Sequence, residues 1–398
     1  VHSRPCVASV FAVRLCMAHP PRIIRSSLLP DFPWDSLADA RAKAESHPDG
    51  FINLSMGTPV DPVSPAAQLG LAENSGAPGY PQTVGTQELR QTIVDAMTRR
   101  YGIISLDPER QVLPVIGTKE AIAWLPYLLG LGEGHIVVIP ELAYPTYEVG
   151  ALLAGASIVR ADSTFQLGPQ APTLMYINSP SNPTGKVLGL EHLRKVVSWA
   201  RERDVIVVSD ECYLGLGWTT NANGVRGDRP TQPVSLLHPD VCDGDTTNLI
   251  AVHSLSKTSN MASYRSGWLA GDEKLIHELL AVRKHAGFMV PQPIQAATVA
   301  ALKDDGFEQL QREIYRNRRE ILAAALRDAG FTIDNSEAGL YLWSTRDEPC
   351  RDTVDWFAER GILVAPGEFY GPKGVKHVRV ALTGTDDQIT AAAQRIAG

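Results

Sequence analysis

Two short runs of this sequence carry side chains that could hold a small molecule by a covalent bond and by charge. The run HSLSKTSNMASYR contains Lys257 among small and hydroxyl residues, and Arg265 follows eight positions later. The run SDECY contains Asp210 and Tyr213, an anion and a phenol three residues apart, after the apolar stretch VIVV. A lysine amine can bond to an aldehyde, and an arginine can bind two phosphate oxygens at once.

These four groups match the requirements of pyridoxal phosphate. Its aldehyde needs an amine, its phosphate needs cations and hydroxyls, its ring nitrogen needs an anion, and its ring oxygen needs a hydrogen-bond donor. Asp210 would keep the ring nitrogen protonated, because a charge pair about 4 Å apart at an effective dielectric near ~20 is worth about 4 kcal/mol. The two runs therefore predict a pyridoxal-phosphate enzyme in which Lys257 is the catalytic residue.

Apolar stretches alternate with helical patterns through most of the chain, and most of the polar motifs directly follow a stretch that resembles a strand. This alternation predicts an α/β fold with a largely parallel sheet whose faces are covered by helices. Ligands of such sheets bind beyond the carboxyl ends of the strands, so the motifs should converge on one edge. After about Val290 the pattern changes to helices, followed by a small lobe rich in strands.

We predict a leader over residues 1–27, a small-domain segment over 28–65, a large domain over 66–295 and a C-terminal small domain over 296–398. Arg14 interrupts the apolar part of the leader, which argues against an export signal. We favour a disordered leader or a start codon assigned too far upstream, and Met17 is a possible later start. The polar stretch 219–233 indicates an exposed loop, with a substrate lid as the alternative.

The amino-acid composition argues against nucleic acid, a membrane or a metal ion as a partner of this chain. The formal charge of −7 and the pI near 5.8 argue against nucleic acid as the main partner. No apolar run approaches the roughly 20 residues of a membrane span. The cysteines are scattered and form no C-x-x-C pair, which predicts a reduced cytoplasmic protein without a metal site. They are Cys6, Cys16, Cys212, Cys242 and Cys350. We interpret Cys212 as a buried packing residue rather than a reactive thiol.

Several runs, taken in order, resemble the class I and II aminotransferases of the pyridoxal-phosphate-dependent transferase fold type I. They are GTP, GYPQTVGTQELR, GTKEA, AYPTY, NPTG, DECY, SLSK with the following arginine, and VRVAL. NPTG alone, or a lone S-x-x-K, would be weak, but the ordered series covers roughly residues 50 to 385. The resemblance implies a large domain with a mostly parallel mixed sheet and a smaller α+β domain.

The resemblance also implies roles for further residues around the cofactor. Asn182 and Tyr213 would bind the ring oxygen, and Tyr144 would stack on the ring. The phosphate would be held by the backbone amides of Thr118 and Lys119, which open a helix, and by Ser254 and Arg265. The simpler alternatives are a helix cap for Thr118, an Asn-Pro turn for Asn182 and a core tyrosine for Tyr144.

Four further residues concern the substrate and a second subunit. Arg379 would bind the substrate α-carboxylate, with the backbone of Gly57 nearby; an exposed ion-pairing arginine is the alternative. Tyr80 would reach the phosphate in a neighbouring subunit, which implies a homodimer with shared active sites. Ala286 stands where aspartate aminotransferases carry a second substrate arginine, which argues against simple dicarboxylate specificity.

A narrower resemblance, from Leu28 to the C-terminus, is to the actinobacterial N-succinyldiaminopimelate aminotransferases. It implies amino-group exchange between glutamate and N-succinyl-2-amino-6-oxopimelate, a long substrate with several negative charges. We expect further cations at the entrance, with Lys186, Arg283 and Lys284 as candidates. Another aminotransferase specificity, a C–S lyase and a pyridoxal-phosphate-binding regulatory domain remain as alternatives.

Overall fold

The computed structural model describes residues 25–169, 171–218 and 233–398. Most of the predicted leader, and nearly all of the predicted loop at 219–233, therefore lie outside the described residues. The last residues of the leader belong to a short 3-10 helix, Arg25–Leu28. No helix in the described part is long and apolar enough to cross a membrane.

Helices and strands alternate along the chain and are numbered here in chain order. The helices are α1 Ala38–Glu45, α2 Pro65–Glu73, α3 Gln87–Tyr101, α4 Thr118–Leu128, α5 Thr146–Ala154, α6 Leu190–Arg201, α7 Pro239–Cys242, α8 Glu273–Ala286, α9 Gln292–Leu302, α10 Asp305–Asp328, α11 Cys350–Ala358 and α12 Asp386–Ala397. The strands are β1 Ile52–Asn53, β2 Val112–Ile116, β3 Ile136–Ile139, β4 Ser157–Arg160, β5 Leu174–Asn178, β6 Ile206–Asp210, β7 Leu249–Ser254, β8 Ser266–Gly271, β9 Thr332–Asp334, β10 Tyr341–Thr345, β11 Ile362–Leu363, β12 Ala365–Pro366 and β13 Val378–Ala381.

The largest sheet has seven strands in the order β2-β8-β7-β6-β5-β3-β4. Every neighbouring pair is parallel except the two that β8 makes with β2 and β7. The sheet is therefore mostly parallel and mixed, as the alternation of strands and helices predicted. The predicted α/β class is confirmed.

Both faces of this sheet are buried, which explains why its strands are almost continuously apolar. Val207 packs into the core on one face and its neighbour Val208 into the core on the other, because successive side chains of a strand point in opposite directions. Side chains of α3, α6 and α9 complete the first core, and those of α4, α5 and α8 complete the second. A parallel sheet of this kind requires helices on both faces.

A smaller assembly follows α9 in the chain. An antiparallel sheet of order β12-β13-β10-β9 and a parallel pair of β1 with β11 contribute to a separate core, together with α10, α11 and α12. The N-terminal segment joins this assembly, since Leu37, Ile52 and Leu54 are buried in the same core. The domain boundaries proposed from the sequence stay a prediction.

Strand polarity brings the candidate residues to one edge of the large sheet. Asp210 ends β6, and Ser254 ends β7 three residues before Lys257. Arg265 lies immediately before β8, and because β8 runs in the opposite direction, its first residue meets the last residues of β2 and β7. One reversed strand therefore places Arg265 beside Lys257.

Arg283 is not available to a substrate, so its suggestion as an entrance cation is wrong. Its side chain is 1% exposed and donates two hydrogen bonds of 2.9 Å to the Glu120 carboxylate, and its guanidinium lies 4.6 Å from the ring centre of Phe288. The ion pair joins α8 to the first turn of α4. Lys284, the next residue, is exposed and does not line the cavity of about 620 Å³ at the edge of the large sheet.

We predict that Arg283→Met lowers the free energy of unfolding by about 3–5 kcal/mol, since it leaves the Glu120 carboxylate without its buried partner. The midpoint of denaturant unfolding, followed by circular dichroism, measures the effect. Lys284→Met is the matched control and should change the free energy by less than about 0.5 kcal/mol. Equal midpoints for the two variants would contradict the structural role of Arg283.

Candidate active site

A cavity of about 620 Å³ lies at the edge of the large sheet where the motifs converge. The predicted site residues that line it are Gly57, Thr118, Lys119, Tyr144, Asn182, Asp210, Tyr213, Ser254, Lys257, Arg265 and Arg379. Tyr80 does not line it and is 94% exposed. Because Tyr80 was assigned to a neighbouring subunit, a single chain does not test that assignment.

Lys257 reaches into the cavity from the loop after β7. Its ammonium group donates a hydrogen bond to the backbone carbonyl of Gly57, which belongs to the N-terminal segment. Burial lowers the pKa of the Lys257 amine, and Arg379 and Arg265 lower it as well. The lowered pKa favours an uncharged amine, which is the form that attacks an aldehyde.

Asp210 is a buried carboxylate, 6% exposed, with two donors from the protein. The Tyr147 hydroxyl donates to Oδ2 at 2.7 Å, and the Cys212 backbone amide donates to Oδ1 at 3.2 Å. Burial raises the pKa of Asp210, and these two hydrogen bonds oppose the rise. A cation placed against Asp210 would stabilise its charged form.

The first turn of α4 and the loop before β8 form an anion-binding corner. Gly117 precedes the helix at φ 74°, and a Cβ there would overlap the guanidinium of Arg265. Arg265 is exposed to the cavity, and one of its nitrogens donates to the Ala262 carbonyl at 2.8 Å. The Ser254 hydroxyl lies 2.9 Å from that of Ser256. Helix amides, hydroxyls and a guanidinium together suit a phosphate group.

Arg379 is held in a fixed orientation at the opposite side of the cavity. It is 3% exposed and donates to Asn182 Oδ1 at 2.8 Å and to the Ser55 carbonyl at 2.6 Å. Its guanidinium carbon lies 3.9 Å from the ring centre of Tyr341. Arg379 Nε has no hydrogen-bond partner among the described residues. A buried guanidinium with a free donor is suited to bind a carboxylate.

Tyr341 was not singled out from the sequence, although it lies within the run GLYLW. Its hydroxyl is 3.1 Å from the hydroxyl of Tyr213, and a Cβ on Gly57 would overlap the same oxygen. Burial raises the pKa of Tyr341, but the charges of Arg379 and Lys257 and the hydrogen bond with Tyr213 lower it by more. The Tyr341 phenol therefore interacts with four candidate residues, Gly57, Tyr213, Lys257 and Arg379.

Three further side chains contact the candidate site residues: Tyr147, Ser256 and Cys212. Tyr147 is the second tyrosine of AYPTY, and only the first, Tyr144, was selected from the sequence. Tyr144 packs edge-to-face on Tyr147, with ring centres 5.7 Å apart. The Cys212 thiol donates to the Thr118 hydroxyl at 3.4 Å. Burial raises the pKa of Cys212 well above its usual value, which keeps the thiol protonated at neutral pH.

Residues 29–34 form a wall at the cavity entrance that is apolar except for the exposed Asp31. Phe32 is 56% exposed, and the Lys119 ammonium lies 5.9 Å from the centre of its ring. Lys119 therefore contributes a side chain to the cavity as well as the backbone amide that the sequence suggested. Lys186 does not line this cavity.

The cavity fits pyridoxal phosphate. The helix terminus beside Arg265 fits the phosphate, the buried carboxylate of Asp210 fits the ring nitrogen, and the amine of Lys257 fits the aldehyde. The described residues contain no cluster able to hold a metal ion. An α/β fold with this set of groups at one sheet edge defines a pyridoxal-phosphate-dependent enzyme.

Comparison with known proteins agrees with that class. The chain belongs to the class I and II aminotransferases, since the model of this family matches residues 49–396. It is therefore a pyridoxal-phosphate-dependent aminotransferase, and the predicted family, fold type and cofactor are confirmed.

The chain is similar to two curated proteins over nearly its whole length. It is 63% identical to a probable aminotransferase of Mycobacterium tuberculosis, over 95% of this chain and 88% of the relative. It is 50% identical to the 4-dedimethylamino-4-oxo-anhydrotetracycline transaminase of Streptomyces rimosus, over 92% of this chain and 99% of the relative. Among solved structures, a probable N-succinyldiaminopimelate aminotransferase of Thermus thermophilus matches with a TM-score of 0.81 at 26% identity, over 92% and 99% of the two chains.

We predict that Tyr147→Phe lowers kcat/KM about tenfold and weakens cofactor binding, because it removes a hydrogen bond to the charged Asp210. Equilibrium titration of the apoenzyme with pyridoxal phosphate measures the affinity. Tyr176→Phe is the control, since Tyr176 is also buried and stacks on Tyr147, but its hydroxyl donates to the Ile122 carbonyl. Equal cofactor affinities in the two variants would contradict the role of Tyr147.

We predict that Tyr341→Phe lowers the pKa of the Lys257 amine further, because Tyr341 is the neighbour that most raises it. The rate at which the apoenzyme takes up pyridoxal phosphate should then rise with pH at a lower midpoint, measured from about pH 6 to about pH 10. Tyr127→Phe, a change at a tyrosine that is 54% exposed, serves as the control. A midpoint that stays in place, or moves to higher pH, would refute the coupling.

Proposed function

We propose that this aminotransferase exchanges an amino group between glutamate and N-succinyl-2-amino-6-oxopimelate, a step towards diaminopimelate and lysine. The observation that carries the proposal is a cavity of about 620 Å³ that is lined by the buried guanidinium of Arg379, by Lys257 and by the exposed cation Lys119. The narrower sequence resemblance and the similarity to the Thermus thermophilus protein support this substrate class.

The bound cofactor supplies an electron sink for the negative charge that develops at the substrate Cα. In the proposed mechanism, Lys257 would hold the cofactor through its amine, and the same amine would take up and return the proton at the substrate Cα as a general base and acid. Asp210 would keep the ring nitrogen protonated. Tyr213 and Asn182 would bind the ring oxygen, and Tyr144 would cover the ring.

The remaining residues orient the reactants. The backbone amides of Thr118 and Lys119, the hydroxyl of Ser254 and the guanidinium of Arg265 hold the phosphate, and Ser256 positions Ser254. Arg379 binds the substrate α-carboxylate through a charge-assisted pair, with the backbone of Gly57 nearby. This arrangement fixes the Cα–H bond of the substrate next to the amine of Lys257.

We also propose that the enzyme is a cytoplasmic homodimer. Tyr80 is almost fully exposed in the single chain, as expected of a residue that contacts a second copy. Through that contact it would reach the cofactor phosphate of the neighbouring subunit.

The distal carboxylates of the proposed substrate need a cation far from Arg379. Of the cations that line the cavity, Lys257, Arg265 and Arg379 have roles at the cofactor or at the α-carboxylate. Lys119 is exposed at the entrance and makes no ion pair within the described ranges, so we assign the distal carboxylate to it.

We predict that Lys119→Gln raises KM about tenfold for the succinylated substrate and for glutamate, because it removes a charged partner of their distal carboxylates. It should change KM for alanine little, since alanine has no distal carboxylate. Steady-state kinetics with the three amino donors measures the split. A uniform increase in KM for all three would contradict the assignment.

The apolar wall favours one alternative substrate class. Phe32, Trp34, Met56 and Val149 face the same cavity, and a large planar oxo substrate could pack against them. The relative in Streptomyces rimosus, a transaminase of a tetracycline precursor, supports this alternative.

The spectral half-reaction tests the proposal. Glutamate or N-succinyl-diaminopimelate, added singly to the holoenzyme, should convert the cofactor absorbance to that of the pyridoxamine form. Lys257→Ala should show no such conversion. No reaction with the succinylated donor, together with fast reaction of another amine, would overturn the substrate; release of ammonia and a thiol from cystathionine would indicate a C–S lyase.

A further inference from the structure

A second cavity, of about 510 Å³, opens between the large sheet and α6. Its floor is formed by strand residues 175–178, and its walls include the first turns of α6 and the loops after β3 and β4. It shares no lining residue with the active-site cavity. Its volume is in the range of small-molecule sites.

Three basic side chains line this second cavity: Lys186, His192 and Lys195. His192 and Lys195 lie three residues apart on one face of α6, and Lys186 precedes the helix. Burial lowers the pKa of His192, and the charges of Lys186 and Lys195, which line the same cavity, lower it further. None of the three side chains makes a hydrogen bond or an ion pair within the described part of the chain.

The charge of this cluster is not neutralised by the surrounding wall. Asp162 is the carboxylate among the described lining residues, and its Oδ1 accepts the Glu141 backbone amide at 2.9 Å. Glu191, next to His192, pairs instead with Arg194 at 3.0 Å. Two lysine charges against one carboxylate leave the lining of this cavity with a net positive charge, which attracts anions.

The rest of the wall is apolar. Leu142, Leu188 and Val196 line the cavity, and Phe165 at its rim is 95% exposed. An exposed phenyl ring beside a basic cluster is suited to a ligand with an anionic group and an apolar or flat body, because aromatic rings stack readily on such bodies. A bare inorganic ion would leave most of this volume unfilled.

One buried side chain on the floor of the second cavity is hydrogen-bonded to two residues of the active site. Asn178, which is 7% exposed, donates from Nδ2 to the Asp210 carbonyl at 2.9 Å, and its Oδ1 accepts the Asn182 backbone amide at 2.7 Å. A ligand that contacts Asn178 would therefore touch a side chain that is hydrogen-bonded to Asp210 and Asn182 of the active site.

We propose that this second cavity is a binding site for a small organic anion, with a phosphate or carboxylate group held by Lys186, His192 and Lys195 and its body packed against Phe165. The site is built from residues that the proposed transamination does not use. Its existence is therefore independent of the substrate assigned to the enzyme.

Calorimetric titration of the holoenzyme with phenyl phosphate and with benzoate tests the proposal. We expect one saturable site per chain for at least one probe, and the tighter probe identifies the preferred anionic group. Lys195→Ala should weaken binding at least tenfold, whereas Lys274→Ala, a change at an exposed lysine on α8, should leave it unchanged. Phe165→Ala should weaken binding of phenyl phosphate more than that of inorganic phosphate.

Two outcomes would overturn the proposal. One is the absence of saturable binding of either probe to the wild-type holoenzyme. The other is binding that Arg379→Lys abolishes and Lys195→Ala leaves intact, since this would place the probe in the active-site cavity. Unfolding midpoints of all variants show whether the substitutions have altered the fold.

Discussion

A carboxylate buried at the end of β6 is the constraint on which the site depends. A charged group removed from water is costly unless hydrogen bonds and an opposite charge compensate for it. Asp210 receives two protein donors, Tyr147 and the Cys212 amide, yet burial still raises its pKa. A protonated ring nitrogen of pyridoxal phosphate, placed against Asp210, would supply the missing positive charge. Cofactor binding and the ionised state of Asp210 would then stabilise each other.

The topology explains how the other groups reach this carboxylate. Parallel strands end at the same edge, which brings residues from β5, β6 and β7 together, and the reversed strand β8 adds Arg265 from the opposite direction. The smaller assembly closes the site from the far side. Arg379 of β13 donates a hydrogen bond to Asn182, which lies in the loop after β5 of the large sheet. Substrate binding at Arg379 would therefore affect the contact between the large-sheet part of the chain and the smaller assembly.

The sequence predicted the α/β class and the convergence of motifs because both follow from local patterns. Apolar strands followed by polar loops identify a parallel sheet, and sheet polarity then gathers residues such as Thr118 and Lys257. The sequence did not reveal roles that depend on contacts between residues distant in the chain, because local patterns do not encode such contacts. Arg283 and Glu120 are far apart in the chain, and nothing in RKHAG distinguishes the buried Arg283 from the exposed Lys284.

Tyr147 and Tyr341 illustrate the same limit within quoted motifs. Both lie in apolar runs where an aromatic residue is the ordinary core choice, so their hydroxyls carry no separate signal. Only the fold shows that the Tyr147 hydroxyl is hydrogen-bonded to Asp210 and the Tyr341 hydroxyl to Tyr213. The wall formed by residues 29–34 also depends on how the N-terminal segment packs across the site, which spacing along the chain does not encode.

The protonation state of the cofactor ring nitrogen shows whether Asp210 acts as its counter-ion. Holoenzyme reconstituted with pyridoxal phosphate labelled with nitrogen-15 at the ring reports this state through its nitrogen chemical shift. We predict a protonated pyridinium in the wild-type enzyme at neutral pH and a neutral pyridine in Asp210→Ala. A neutral ring nitrogen in the wild-type enzyme, or a pyridinium that persists without Asp210, would contradict it.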